Sequence, residues 1–185
     1  MREGKLSLRK NLWFYACAVI VLLADQLSKY AARMSLVYGR PVPVIPGIFD
    51  LSLNFNSGAA FGVLPNWAPF FILVGILTIF AIVKLRKAGE DSRSLSMGFG
   101  LLLGGAMGNL IDRVVSPERG VTDFLSVHVA VPGTGHDWPI FNIADIGIVI
   151  GALLVFFYVY VIEKRRHNSE AEQHDYEDDT GQTQA

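Results

Sequence analysis

Four long apolar runs alternate with polar connections along this chain. Leu12–Ala24, Trp67–Val83, Ser94–Ile111 and Ile146–Ile162 contain no Asp, Glu, Lys or Arg, and the last three are 17, 18 and 17 residues long. A helix needs about 17 to 25 such residues to cross the hydrocarbon core of a bilayer. The first run is shorter, but it continues through Asp25 and Gln26 into Leu27–Ala32, a span of about 20 residues with polar groups in its outer half. The pattern predicts four transmembrane helices. A single soluble core is disfavoured, because helices this long with so little charge need lipid or a much larger protein around them. Mean hydropathy is only +0.37 because a polar tail and two connections dilute the average.

Between the first two runs the period changes. Leu51, Leu53 and Phe55 alternate with Ser52, Asn54 and Asn56, the pattern of a half-buried strand, after Pro41, Pro43, Pro46 and Gly47 have broken any helix. Asn56-Ser57-Gly58 then reads as a turn. The expectation is a small β cradle in this first outer loop, resting on the membrane face, and a second outer loop between helices 3 and 4. In the third run Gly100, Gly104 and Gly108 recur every four residues, and Gly147 and Gly151 do so in the fourth. Such stripes let membrane helices approach closely, so helices 3 and 4 should pack against each other or their neighbours.

Charge sets the orientation. Arg2, Lys5, Arg9 and Lys10 precede the first run, Lys84, Arg86, Lys87 and Arg93 join the second to the third, and Lys164, Arg165 and Arg166 follow the fourth. Together they are eleven of the sixteen Lys and Arg. The positive-inside rule puts that side, and both termini, in the cytoplasm. The other two connections, about Met34–Asn66 and Val114–Phe141, face outward with Arg40 and Arg119 as their loop-borne cations. Asp112, Asp123 and Asp145 all fall near that outer face. The net charge of -1 hides the asymmetry, since Glu170, Glu172, Asp175, Glu177, Asp178 and Asp179 balance the basic side. Residues 1–166 form the membrane-embedded domain, and 167–185 read as a disordered acidic cytoplasmic tail with no catalytic role. The basic inner surface suits anionic lipid headgroups, and nothing suggests nucleic acid.

The lone cysteine, Cys17, excludes an internal disulfide and a thiolate metal cluster. Phe14-Tyr15-Ala16-Cys17 faintly resembles a lipoprotein processing site. The apolar run continues past it, however, whereas a signal peptide's apolar region ends at the cleavage site, so Cys17 reads as helix packing.

Carboxylates inside or beside apolar runs are costly in lipid, which makes Asp25, Asp112 and Asp145 candidates for function or for buried pairing. Asp25 and Lys29 are four apart on one helix face, the spacing of an ion pair. Asn109, Asp112 and Arg113 sit three and four apart at the end of helix 3 and suggest an internal Asp to Arg network. Asp145, three residues after Asn142, stands at the start of helix 4, where a carboxylate can meet free backbone N–H groups. Asp123 lies in the outer segment before apolar Phe124 and Leu125. Each has a structural explanation alone. If helix packing brings Asp123 near Asp145, the two share a proton. One then activates water as a base and the other protonates the leaving amide nitrogen, hydrolysing a peptide without metal or covalent intermediate.

Other classes fit less well. A serine protease would draw on Ser28 beside Lys29, or on Ser57, but adjacent helix residues point apart. A metalloprotease would use His128, His136, Asp137 and Asp123, yet no HExxH is present and the histidine spacing matches no common site. A transporter or proton channel with Asp25, Asp112 and Asp145 as a relay lacks acids in the inner half of helices 2 to 4. A non-catalytic assembly factor predicts that replacing both aspartates by Asn leaves function intact.

Asp25-Gln26-Leu27-Ser28-Lys29, Asn56-Ser57-Gly58-Ala59-Ala60-Phe61, Gly108-Asn109-Leu110-Ile111-Asp112-Arg113, Asp123-Phe124 and Phe141-Asn142-Ile143-Ala144-Asp145 occur in that order. Together they closely resemble the bacterial lipoprotein signal peptidase family, also called signal peptidase II, from about Leu12 to Ile162. The resemblance implies a four-helix inner-membrane aspartic protease without cofactor or metal, acting on diacylglyceryl prolipoproteins. It would cut just before the lipidated cysteine, at the outer face of the membrane. By motif match the catalytic pair is Asp123 and Asp145. Asp25, Lys29, Asn56, Gly58, Asn109, Arg113 and Asn142 match positions that line or brace the site. Membrane lipids and the cyclic peptide antibiotic globomycin are the other implied partners. The chain departs from the family pattern at Ser116-Pro117-Glu118-Arg119-Gly120, an apparent insertion, and at Thr122, where an apolar residue is expected.

Overall fold

The computed structural model describes residues 2–58, 67–88, 92–129 and 138–182. Four helices lie in chain order as α1 (Arg2–Ser35), α2 (Ala68–Ala88), α3 (Arg93–Val115) and α4 (Ile143–Gln182). Within them Asn11–Ser35, Ala68–Lys87, Arg93–Val115 and Ile143–Ile162 are long and apolar enough to cross a membrane. Their flanks expose Leu12, Ile20, Leu27, Leu73, Leu77, Val149, Phe156 and Phe157, side chains that water would penalise and lipid would not.

The bundle is organised around α3. Half of its apolar span is buried, against a small fraction of α2 and α4, and it packs on all three other helices. Small residues make this possible. A Cβ at Gly100 or Gly104 would run into the carbonyl oxygens of Phe14 or Ala18, so that stripe admits α1 to backbone contact. A Cβ at Gly105 would meet the Ala144 carbonyl of α4, and Gly98 and Gly151 let the same two helices close up further along. The four-residue stripe therefore serves α1, and α4 is admitted by glycines on another face. Phe14, Ala18, Ile82, Leu95, Phe99 and Leu103 fill the space between α1, α2 and α3.

At one end of the bundle sits a three-stranded antiparallel sheet in the order β1 (Val42–Ile45), β2 (Phe49–Asn56), β3 (Val121–Val127). The predicted cradle is there, and β2 covers the alternating segment. Pro43 is tolerated because β1 is an edge strand, where a missing N–H goes unmissed. β3 lies where the sequence suggested only a loop. It pairs with β2 through Asn54 with Asp123, Phe55 with Thr122 and Asn56 with Val121. Ala32, Leu53 and Phe124 bury against one another and seat the sheet on the end of α1.

The apparent insertion is a compact turn. The Arg119 and Gly120 N–H groups donate to the Ser116 carbonyl at 3.0 and 2.8 Å. Gly120 then takes φ +78° against the backbone of Asn56 and Ser57, where a side chain has no room. At the other end of the bundle α4 continues as helix to Gln182, through the segment whose composition suggested disorder. Ala171, Glu172 and Gln173 are good helix formers, and a helix already nucleated in the apolar span propagates at little further cost.

Candidate active site

The site is assembled where the sheet meets the ends of α1, α3 and α4. Its foundation is the buried cation Lys29. The Lys29 ammonium lies 2.8 Å from Asp25 Oδ2 and 3.2 Å from Asp112 Oδ2, and it donates to Asn109 Oδ1 at 2.9 Å. Lys29 and Asp25 are fully inaccessible to solvent. One cation between two carboxylates in a dry interior is tolerable only when every oxygen has a partner. Asp25 meets that condition: Oδ1 accepts the Ala144 N–H at 2.9 Å and Oδ2 accepts Gln26 Nε2 at 3.1 Å. The predicted pair of Asp25 with Lys29 is present, and through Ala144 it also ties α1 to the first turn of α4.

Of the network suggested by the three- and four-residue spacing of Asn109, Asp112 and Arg113, Arg113 Nη1 donates to the Asn109 carbonyl at 3.2 Å, but Asp112 and Arg113 part, because neighbouring helix residues point about 100° apart. Asp112 turns toward α1 and β3, accepting the Thr122 N–H on Oδ2 at 2.9 Å. Arg113 turns the other way, its guanidinium 3.4 Å from the Gly58 carbonyl oxygen and over the Phe71 ring at 5.4 Å. Arg113 thereby joins α3 to the turn after β2 and to α2. In that turn the Asn56 side chain accepts the Gly58 N–H at 3.1 Å.

The remaining motif residues converge from three elements. Phe141, just before α4, bridges to Leu125 of β3, with N–H to O contacts of 3.0 and 2.9 Å between their backbones. This pairing delivers Asn142 beside Asp123. The Asn142 amide, fully buried, donates to Asp123 Oδ1 at 2.6 Å and to Asn109 Oδ1 at 3.2 Å, and its own Oδ1 accepts the Asp145 N–H at 3.0 Å. Asp145 accepts Asn109 Nδ2 on Oδ1 at 2.8 Å and the Asn142 N–H on Oδ2 at 3.1 Å. Two asparagines thus tie the two aspartates to each other and, through Lys29, to the base of the site.

Asp123 and Asp145 line one cleft of about 470 Å³ together with Asn56, Gly58 and Arg113. Its apolar wall is made by Trp138, Phe141, Ile146 and Val149. Burial pushes the Asp123 carboxyl from an ordinary 3.8 up to about 7, and the negative charge of Asp145 adds to the rise. Hydrogen bonds from the Asn142 and Asn56 side chains, with the field of Lys29, offset part of it. A carboxyl that titrates near neutrality, beside a second carboxyl in an apolar-walled cleft, is equipped for acid–base chemistry.

All nine residues expected to act in or brace the site therefore lie around this cleft and its base. The sequence reading missed Gln26, the Ala144 N–H and Thr122 as contributors. The β-branched and aromatic run Val121, Thr122, Phe124 and Val127 was the available signal for the strand. Of the groups weighed for other chemistries, Ser28 Oγ donates to the Asp25 backbone carbonyl at 2.9 Å and His128 pairs with Asp50 at 2.8 Å. No cluster of three or more metal-ligating side chains occurs among the described residues. His136, Asp137 and Ala59-Ala60-Phe61 lie outside them.

The family described as signal peptidase II matches residues 17–161. A lipoprotein signal peptidase of Nitratidesulfovibrio vulgaris (strain DP4) is 42% identical over 148 residues, covering 77% of this chain and 86% of the relative. One from Bacillus subtilis (strain 168) is 37% identical over 144 residues, covering 77% and 90%. Among solved structures, a bacterial membrane enzyme determined by the in meso method at 2.3 Å superposes with a TM-score of 0.71 at 32% identity, covering 80% of this chain and 87% of that one.

Proposed function

This chain belongs to the signal peptidase II family, and from that premise we propose that it removes the signal peptides of diacylglyceryl-modified prolipoproteins as an aspartic endopeptidase. Membership makes it a multi-pass membrane protease acting on lipoproteins. The finer reading rests on one observation: Asp123 and Asp145 flank a single apolar-walled cleft and are joined through Asn142 and Asn109.

The chemistry follows from that arrangement. Asp145 accepts N–H groups on both oxygens, which suits a carboxylate acting as base. Asp123, pushed up to about 7, is suited to hold the shared proton at neutral pH. Asp145 takes a proton from water as the water oxygen attacks the scissile carbonyl. Asp123 then protonates the amide nitrogen as the C–N bond breaks, leaving an acid and an amine. The protons of such a dyad belong to the pair, and turnover needs one of the two ionised. Trp138, Phe141, Ile146 and Val149 offer the apolar surface that a signal peptide and acyl chains require.

Location follows from charge. Eleven Lys and Arg flank the helix ends away from the sheet, which by the positive-inside rule supports both termini in the cytoplasm of an inner-membrane protein and the cleft at the outer face. A lipid-anchored substrate brings its scissile bond, just before the modified cysteine, to that depth. Globomycin-type peptides would compete for the same cleft.

The test is cleavage of a purified diacylglyceryl prolipoprotein in micelles by the wild type, Asp123→Asn and Asp145→Asn. Turnover that survives a chelator and is lost from both folded variants is expected. Activity retained in either variant would sink the dyad. Cysteine-accessibility labelling checks that the sheet faces outward.

A further inference from the structure

A second cavity lies on the other side of β3. Successive strand residues face opposite ways, so Thr122 looks away from the cleft that holds Asp123. Thr122 and its cross-strand partner Phe55 line a cavity of about 270 Å³ that shares no lining residue with that cleft. Arg33 of α1 and Arg119 of the inserted turn border it.

Among the described residues, neither guanidinium is fully used. Arg33 donates one hydrogen bond, from Nη1 to Thr122 Oγ1 at 2.9 Å, and comes no closer than 3.8 Å to Asp112 Oδ1. That separation exceeds a hydrogen bond, and a guanidinium carries five N–H donors. Asp112 also lines the cavity; it shares Lys29, at 3.2 Å, with Asp25 and accepts the Thr122 N–H at 2.9 Å, so its oxygens are turned to partners outside the cavity as well as toward Arg33. Arg119 lies over the Phe55 ring at 5.7 Å and meets Glu118 only at 3.8 Å, with both side chains more than half exposed. Two incompletely neutralised guanidiniums with spare donors match an anion that can accept forked hydrogen bonds, above all a phosphate ester.

The surroundings select the form of that phosphate. The cavity opens where the membrane-crossing spans of α1 and α3 end, at Ser35 and Val115. Its lower lip is Ile111 and Val115, and Val115 continues into the lipid-facing surface at 74% exposure. Cations above an apolar lip at that depth fit a headgroup over its acyl chains. We propose that this cavity binds the headgroup of an acidic phospholipid from the leaflet on the sheet side, with its phosphate between Arg33 and Arg119 and its chains along Ile111 and Val115. The site is separate from the peptidase cleft and does not depend on the reading of Asp123 and Asp145.

The full-length protein in micelles doped with equal phosphatidylglycerol and phosphatidylcholine tests this by native mass spectrometry. The wild type should retain one phosphatidylglycerol at least tenfold over phosphatidylcholine. Arg119→Gln, an exposed change that leaves the fold undisturbed, should reduce that preference at least fivefold, while Arg40→Gln, outside the cavity, should not. Equal retention of the two lipids by the wild type, or an unchanged preference in Arg119→Gln, would overturn the proposal. Displacement of phosphatidylglycerol by millimolar inorganic phosphate, with no weakening in Val115→Ser, would assign the cavity to free phosphate and remove the lipid.

Discussion

Replacing Asp123 by Asn should abolish turnover and yet stabilise the protein above neutral pH. A carboxyl held at about 7 in the folded chain and at 3.8 when unfolded binds its proton more tightly when folded. Between those values the unfolded chain ionises while the folded one stays neutral, so stability falls as pH rises and the loss is complete above about 7. At about 1.4 kcal/mol per pH unit, the full loss is on the order of 4 kcal/mol. Asp123 is only 2% exposed, so solvent does little to soften it. Asparagine keeps the shape and an acceptor for Asn142 but cannot ionise. The difference in stability between Asp123→Asn and wild type should therefore be small near pH 4, grow through pH 5 to 7 and level off above. Reversible unfolding in micelles, at fixed detergent and at pH 4.5, 6 and 8, measures it. A difference that is the same at all three values would refute the argument that burial beside Asp145 holds this carboxyl neutral.

Asn142→Ala leaves a buried carboxyl oxygen of Asp123 without its 2.6 Å hydrogen bond, at a cost of about 1 to 3 kcal/mol, so the turnover number should fall roughly 5- to 150-fold. Because that bond favours the ionised form of Asp123, its loss should also move the alkaline limb of the pH–rate profile upward, and a limb that stays put would count against the assigned role. Lys29→Met leaves Asp25 and Asp112 buried without their cation and should cost about 3 to 5 kcal/mol in micelle unfolding; an unchanged midpoint would mean that the cluster is not structural. Gly105→Leu drives a side chain into the Ala144 carbonyl and Ile148, so α3 and α4 should separate and activity should disappear along with the folded fraction recovered by size-exclusion chromatography.

The four spans were legible because hydrophobic length is a local property, set by the thickness of the bilayer and written residue by residue. The pairing of Asp25 with Lys29 was legible for the same reason, since a four-residue helical spacing needs no knowledge of the rest of the chain. The β2 alternation belongs with these. The motif order was enough to propose nine site residues through family resemblance, but no local pattern says how they meet. Asp112 parting from Arg113 to join Lys29 and Thr122, and the inserted turn lying beside a second cavity, depend on packing between distant segments.

The site itself is the clearest case of that division. Alone, Asp123 and Asp145 were a loop carboxylate and a helix-start carboxylate, each with a structural explanation. What joins them is the bridge between Phe141 and Leu125, the closeness of α3 to α4 that Gly105 permits, and the amides of Asn109 and Asn142 between the two acids. Sequence by itself determined the spans, the strand and the ion-pair spacing, because those follow from the chemistry of neighbouring residues. Only the tertiary structure decided that two carboxylates share one cleft and that burial, with the charge of Asp145, pushes Asp123 up to about 7, because burial exists only once separate segments exclude water between them.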